Sequence, residues 1–309
     1  MKKRESIVYK FESLTDFHRM FGLPMPKHPL ISYTDIKEMN YMPADLPAAL
    51  IMDFYKIAFK TSLCGKAKYG QSYYDFGEGG LVFTAPGQVF ESPDGKATSG
   101  KMLLIHPDLF LSYPLSKRIK QFGFFSYAAN EALHLSDHER ATVMTVLKII
   151  EEELASRIDD FSQDVIVSQI ELLLNYCNRF YKRQFITRKA VNSDQLQKME
   201  AILDQYFSEG KTVSSGIPTV QYLADQVNLS PGYMSDMLRA LTGQNAQQLI
   251  HSKLVEKAKN ILSTTDLSVA ETAYQLGFEH PQSFSRLFKS KTEQSPLEFR
   301  TSLAWQHRN

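Results

Sequence analysis

Cysteine is scarce in this chain. Only Cys64 and Cys177 occur in 309 residues, far apart and without metal-ligand spacing. That excludes a disulfide framework and a thiolate zinc site, and reads as two reduced thiols in a cytoplasmic protein. Long apolar runs are missing too. None approaches the roughly 20 residues of a membrane span. The basic start MKKRESIVYKFESL is not followed by an apolar core, which argues against secretion. No HxH pair is present, and the strand-like region holds just His106. His134 and His138 flank LSD, which reads as a helix cap. Zinc sites need three or four converging ligands, so we assign no metal, no cofactor and no catalytic residue. Net charge is only +1, and from Val191 onward 11 Lys and Arg face 12 Asp and Glu. Any affinity for a polyanion must therefore be local.

What the chain does have is one pattern written twice near its end. LADQVNLSPGYMSDMLRALTGQ (Leu223 to Gln244) matches TAYQLGFEHPQSFSRLFKSKTEQ (Thr272 to Gln294). Ala224 aligns with Ala273, and Asn228 with Gly277 at a turn. After one inserted residue Met234 aligns with Phe284, Ser235 with Ser285, Leu238 with Phe288, Thr242 with Thr292 and Gln244 with Gln294. A small residue where two helices cross, then a residue that tolerates positive φ, is what a helix-turn-helix requires. The spacing predicts two such units, at about 219–241 and 268–291. Residues 245–263 read as one connecting helix, whose 1.5 Å rise per residue gives roughly 27 Å. One DNA turn is about 34 Å, so both second helices can enter successive major grooves.

The chain before this reads differently. Residues 1 to about 45, with Pro24, Pro26, Pro29 and Pro43, suggest an irregular arm. From 48 to 106, ALIMDFYKIAF, KAKYGQSYYDF, GGLVFTAPGQVFE and SGKMLLIH carry strand signals of an antiparallel sandwich or barrel. Two long helices follow. One opens at Ser136 with a capping box to Glu139, and the other runs from about Ser162 to Lys182. The wide apolar stripe of the second leaves a face for a dimer seam. Arg179, Lys182, Arg183, Arg188 and Lys189 read as a solvated helix end and linker. Residues 184–195 lack a sustained pattern. KTVSSGIP reads as a polar loop, and Pro296 opens a last short helix.

Helical spacing sorts the side chains of the doubled motif. Gly232, Ser235, Asp236 and Arg239 face outward in the first unit, and Pro281, Gln282, Ser285, Arg286 and Lys289 in the second. Met234, Met237, Leu238, Leu241, Phe284, Leu287 and Phe288 face inward. Arg286 suits a bidentate contact to guanine and Gln282 one to adenine, whereas Asp236 accepts from cytosine and repels phosphate. The second unit is therefore expected to read bases, and Asp236 to give the first unit selectivity more than affinity.

At these residues the sequence resembles the AraC/XylS-type bacterial transcription regulators. Ala273, Gly277, Phe278, Phe284, Arg286, Phe288, Lys289, Pro296 and Arg300 match that family's pattern, and LSPGYMSDMLRALTG matches its first unit. Glu293 and Asn228 stand where the family often has Gly, and Pro281 lies in a recognition-helix start. The resemblance implies promoter DNA and RNA polymerase as partners and a small effector sensed by the N-terminal half. It also implies an α+β chain: a cupin-like antiparallel β-barrel with two long helices, then an all-α domain with two helix-turn-helix units. The expected division is 1–185 for effector binding and dimerisation, 186–194 for a linker and 195–309 for DNA binding, with a homodimer formed through the 136–182 helices. Phe54, Tyr55, Tyr73, Tyr74, Phe76 and Phe83 are the aromatics available to line an effector pocket, core packing being the alternative for each. Three rival readings remain: a ligand-independent regulator, a metal-dependent cupin-type enzyme, and a DNA-repair methyl acceptor. The last needs a reactive cysteine, whereas Cys177 lies on an apolar helix face.

Overall fold

The computed structural model describes residues 8–40, 47, 49–61, 67–69, 72–74, 79–91, 99–128, 131–157 and 159–306. The chain divides into two compact units, 1–184 and 185–309.

The first unit begins with strand β1 (Val8–Phe11), helix α1 (Leu14–Met20) and strand β2 (Ile31–Asp35). These are not the irregular arm expected. Phe11, Leu14, Phe17, Phe21, Leu23 and Ile36 are buried in one cluster with Leu50, Met52, Phe54, Ala58, Met102 and Leu104. Leu14, Phe17 and Phe21 recur at helical spacing, Ser13 caps α1 through Asp16 N–H, and Pro24, Pro26 and Pro29 fall in the span before β2. The prolines punctuated the segment without preventing it from joining the core.

Three of the expected strand segments each divide into two strands. ALIMDFYKIAF yields β3 (Ala49–Met52) and β4 (Tyr55–Lys60), and GGLVFTAPGQVFE yields β7 (Gly80–Thr84) and β8 (Val89–Glu91). Between them lie the short β5 (Ala67–Tyr69) and β6 (Ser72–Tyr74), which pair with each other. Strand β4 pairs with β7 from Lys60↔Gly80 to Lys56↔Thr84, and β3 with β8 from Ile51↔Val89 to Ala49↔Glu91. Together they form one long bent ribbon, and Gly87 N–H donates to Met52 O at the bend (2.8 Å). With β9 (Gly100–Ile105) and β10 (Leu133–His134), the order is β1-β3-β8 in one sheet and β10-β7-β4-β9-β2 in the other. Among the described residues these sheets do not close into the expected cupin-like barrel. Nor are they wholly antiparallel, because β1 runs parallel to β3.

After α2 (Leu115–Arg118) come the two long helices, α3 (Asp137–Ala155) and α4 (Ser162–Thr187). The capping box of Ser136 and Glu139 is present. Glu139 is also the partner of Arg183, which donates from Nε to Glu139 Oε1 (3.0 Å), from Nη2 to Oε2 (2.5 Å) and from Nη2 to His134 O (2.8 Å). Arg183 thus ties α4 to the start of α3 and is not part of a solvated basic cluster. Burial alone would raise the Glu139 carboxyl, but Ser136 N–H and the Arg183 guanidinium outweigh it and hold it below the usual carboxylate range. Stability from this group is present above the unfolded-state pKa and is lost as pH falls through the lower folded value. Glu139→Ala is expected to cost about 2–4 kcal/mol at neutral pH and to reduce the acid sensitivity of unfolding, read by urea melts at pH 7 and 4. An unchanged pH profile would remove Glu139 as the cause.

Helix α4 runs on to Thr187, and α5 (Lys189–Ser208) follows after Arg188. The expected linker is therefore almost wholly helical. Its apolar period is broken because polar side chains fill the inner face: Asn192 and Gln195 are buried, and Asn192 Nδ2 donates to Phe185 O (2.7 Å). The second unit continues with α6 (Lys211–Ser215), α7 (Val220–Val227), α8 (Pro231–Thr242), α9 (Ala246–Thr264), α10 (Val269–Gln275), α11 (Pro281–Thr292) and α12 (Pro296–Gln306). Helix α6 lies where a polar loop was expected.

Candidate nucleic-acid interface

The sequence repeat becomes a repeat of hydrogen bonds. In the first copy Leu229 N–H returns to Ala224 O at 3.0 Å, and in the second Phe278 N–H returns to Ala273 O at 3.0 Å. Both alanines are fully buried where the paired helices cross. Both turns pass through a left-handed residue, Asn228 at φ 54° and Gly277 at φ 86°. At the far ends Thr242 Oγ1 donates to Leu238 O and Thr292 Oγ1 to Phe288 O, each at 2.8 Å. The same hydroxyls accept Gln244 N–H and Gln294 N–H. Each matched pair thus repeats a local bond that fixes the angle or the end of α8 or α11.

Between the copies α9 runs 19 residues, about 28 Å. It opens with a capping box of Asn245 and Gln248, and Leu254, Ala258 and Leu262 are buried along it. Two further ties hold the second copy. Thr212 Oγ1 of α6 donates to Gln275 O (2.6 Å), and Arg300 of α12 donates to Leu267 O. No periodic signal marked the five-residue α6. The required glycine at 277 was the nearest hint, since a backbone approaches it closely.

Met234, Met237, Leu238, Phe284 and Phe288 are buried as expected, while Leu241 and Leu287 are half-buried. Tyr233 is buried as well, edge-on to Phe185 at 5.0 Å between ring centroids. Among the outward residues, Gln282, Arg286 and Lys289 are exposed along α11, with Ser285 half-buried between them. Pro281 occupies the first turn, where its missing N–H costs nothing, and His280 supplies no side-chain cap. The start of α11 therefore combines open backbone donors with a row of polar and basic side chains, a setting suited to phosphate and base edges. On α8, Gly232, Ser235 and Asp236 are half-buried and Arg239 is exposed. Arg239 Nη1 donates to Asp236 Oδ1 at 2.6 Å, so this cation is already engaged by an acid one turn away.

The aromatics read as one pocket do not converge. Phe54 packs edge-on to Phe17 in the N-terminal cluster (5.8 Å). Tyr55 and Phe83 instead meet Phe125, at 4.9 and 5.6 Å. Phe54 lies in the bend before β4 and Tyr55 opens that strand, so the chain turns between them and sends the two rings apart. Tyr73 and Tyr74 lie on β6, but their side chains, like the whole of Phe76 and Cys64, lie outside the described residues. Tyr55 does line a cavity of about 790 Å³ with Phe122, Phe125, Ile119 and Lys120. Cys177 is fully buried, and burial pushes its thiol pKa up.

A family profile described as a helix-turn-helix domain matches residues 223–302, which contain both copies. These residues carry a helix-turn-helix domain. The transcriptional activator RhaS of Salmonella schwarzengrund is 28% identical over 148 residues, covering 48% of this chain and 51% of RhaS. Two solved structures are similar to part of the chain. The C-terminal domain of the response regulator yesN from Fusobacterium nucleatum is 33% identical, covering 33% of this chain and 96% of that one, with a TM-score of 0.29. An AraC-type DNA-binding-domain regulator from Chromobacterium violaceum is 16% identical, covering 37% and 96%, with a TM-score of 0.33. The chain spans between 17% and 51% of the length of curated relatives such as these regulators. Asn228 and Glu293, which stand where the resemblance led us to expect Gly, are the two non-glycine residues with positive φ among those described.

Proposed function

We propose that the protein is a sequence-specific DNA-binding transcription regulator that reads two successive major grooves through α8 and α11. One observation carries the reading: the exposed row Gln282, Arg286 and Lys289 on a helix whose start lacks a side-chain cap, joined by α9 to a second copy of the same unit. The first copy, with Asp236 holding Arg239, supplies discrimination more than affinity. That its relative RhaS is a transcriptional activator agrees with this reading. Control by a small effector in the first unit is supported by the aromatic cavity at Tyr55. Self-association is supported by an apolar row on and before α4, formed by the exposed Phe161, Val165 and Leu172.

Selection of binding sites from random duplexes by the full chain tests the proposal. The expected product is a pair of short, dissimilar elements about one helical turn apart, and a repeated pair would report two copies on the DNA. Recovery of sequences with no shared element would overturn site-specific reading.

A further inference from the structure

Resting on the reading that the first unit binds a small effector, we propose that the ligand of the cavity at Tyr55 is a flat aromatic anion. The cavity, about 790 Å³, lies beside the turn at 85–88, between the start of β4 and the segment from Ile119 to Ser126. That volume suits a small organic molecule. Tyr55 and Ala58 fall on opposite faces of β4, and Ala58 belongs to the cluster shared with β1 and β3. The cavity is therefore on the face of the strand turned away from that cluster.

Three features select the ligand. The first is the walls. Phe122 and Phe125 are buried, and Tyr55 meets Phe125 edge-on at 4.9 Å and Phe110 at 6.5 Å. Pro86 and Pro107 add two more rings to the lining. Rings packed on one another in this way are held in place before any ligand arrives. A flat apolar ring entering among them sheds water and makes edge or face contacts.

The second is an unused hydroxyl. Tyr55 is only 7% exposed, yet its O–H forms no hydrogen bond among the described residues. It is not one of the sealed, unpartnered atoms of the core, so it opens into the cavity that its ring lines. Burial raises its pKa, which keeps the phenol neutral and able to donate. Gln88 adds a second donor. Ala85 N–H donates to Gln88 Oε1 at 3.1 Å, which fixes the amide and leaves Nε2 without a partner among the described residues. Oxygen atoms on a ligand are the complement of two such donors.

The third is charge. Among the described residues Lys120 is the one charged side chain in the lining, and no carboxylate stands there to oppose it. It forms no ion pair among them, whereas Arg118 is held by Glu171. Lys120 is exposed, so its ammonium stands at the mouth of the cavity, where it meets an anionic group at the outer end of the ligand. An amine in that place would find no acid.

Calorimetric titration of the full chain with 2-naphthoate, its neutral amide and 2-naphthylmethylamine tests this, with one ring system and three charges. The carboxylate is expected to bind at least about tenfold more tightly than the amide, and the amine most weakly. Lys120→Met should remove most of the carboxylate's advantage and leave the amide unchanged. Tyr55→Phe should weaken carboxylate and amide alike, yet leave the urea midpoint of the free chain where it was, because the hydroxyl holds nothing there. No heat with any of the three, an amide or amine that binds as tightly as the carboxylate, or unchanged selectivity in Lys120→Met would overturn the site as an anion site. Titrating a selected duplex with and without 2-naphthoate separates this outcome from the effector reading. Naphthoate that binds and leaves DNA affinity unchanged would sink effector control and keep the site. Tighter binding of the amide, with a change in DNA affinity, would keep effector control and sink the anion.

Discussion

Gly277→Ala is expected to lower the stability of the C-terminal unit by about 3 kcal/mol and to abolish site-specific DNA binding. Two costs add at this residue. Its φ of +86° disfavours any L side chain, by about 1–2 kcal/mol. A Cβ there would also lie 2.8 Å from Gly216 C, 2.9 Å from Thr212 O and 3.0 Å from Ile217 N. All three are backbone atoms that cannot swing aside, and overpacking of this kind costs about 1–3 kcal/mol. The displaced partner is α6 with its following turn, which holds α10 through Thr212 and Gln275, so the second copy loses its fixed angle. Gly243→Ala provides the control. It shares the strained φ, at +76°, but nothing lies within 4 Å of the added carbon, so about 1–2 kcal/mol is expected there and DNA binding should persist. Urea denaturation followed by circular dichroism, with a binding titration beside it, reads both. Equal losses at the two glycines would show that the close approach to α6 does not matter.

The second large effect concerns Arg286. Arg286→Ala should weaken binding to a selected duplex by about 10–100-fold and flatten the preference at a single guanine. It should also reduce the dependence of log affinity on log salt by about one unit. Asp236→Asn should do the reverse. It frees Arg239 from its 2.6 Å ion pair and removes a charge that repels phosphate, so binding to unrelated duplexes rises severalfold and discrimination falls. Titrations over a small library of sites at two salt concentrations distinguish the cases. If both variants lost affinity by one factor on every sequence, the unequal roles of α8 and α11 would be wrong.

The C-terminal unit was readable in the sequence because its signals are local. Ala224, Asn228, Ser268 with Glu271, and the alternation of Met234, Leu238, Phe284 and Phe288 each report contacts within a few residues. Its outward side chains were equally legible, since helical spacing assigns faces directly. The pairing of Asp236 with Arg239 is legible as an i, i+3 spacing. The N-terminal unit was harder because its order is set by distant partners. Nothing near Val8 announces a parallel partner at Ala49, and nothing near Arg183 announces Glu139. Prolines at 24, 26 and 29 obscured a helix and an edge strand that contribute to the core. Composition marks Phe54 and Tyr55 alike, while the bend between β3 and β4 places Phe54 against Phe17 and Tyr55 against Phe125.

The bent ribbon of β3–β4 and β7–β8 has a mechanical meaning. Two covalent crossings, at 53–54 and at 85–88, stitch the three-stranded sheet to the five-stranded one. Neither sheet can peel away while the other keeps its register. A pull on β8 is transmitted through the bend to β7 and, by its neighbour's pairing, to β4. The two sheets are therefore expected to unfold in one cooperative step, which coincident urea transitions of probes placed in each sheet would show.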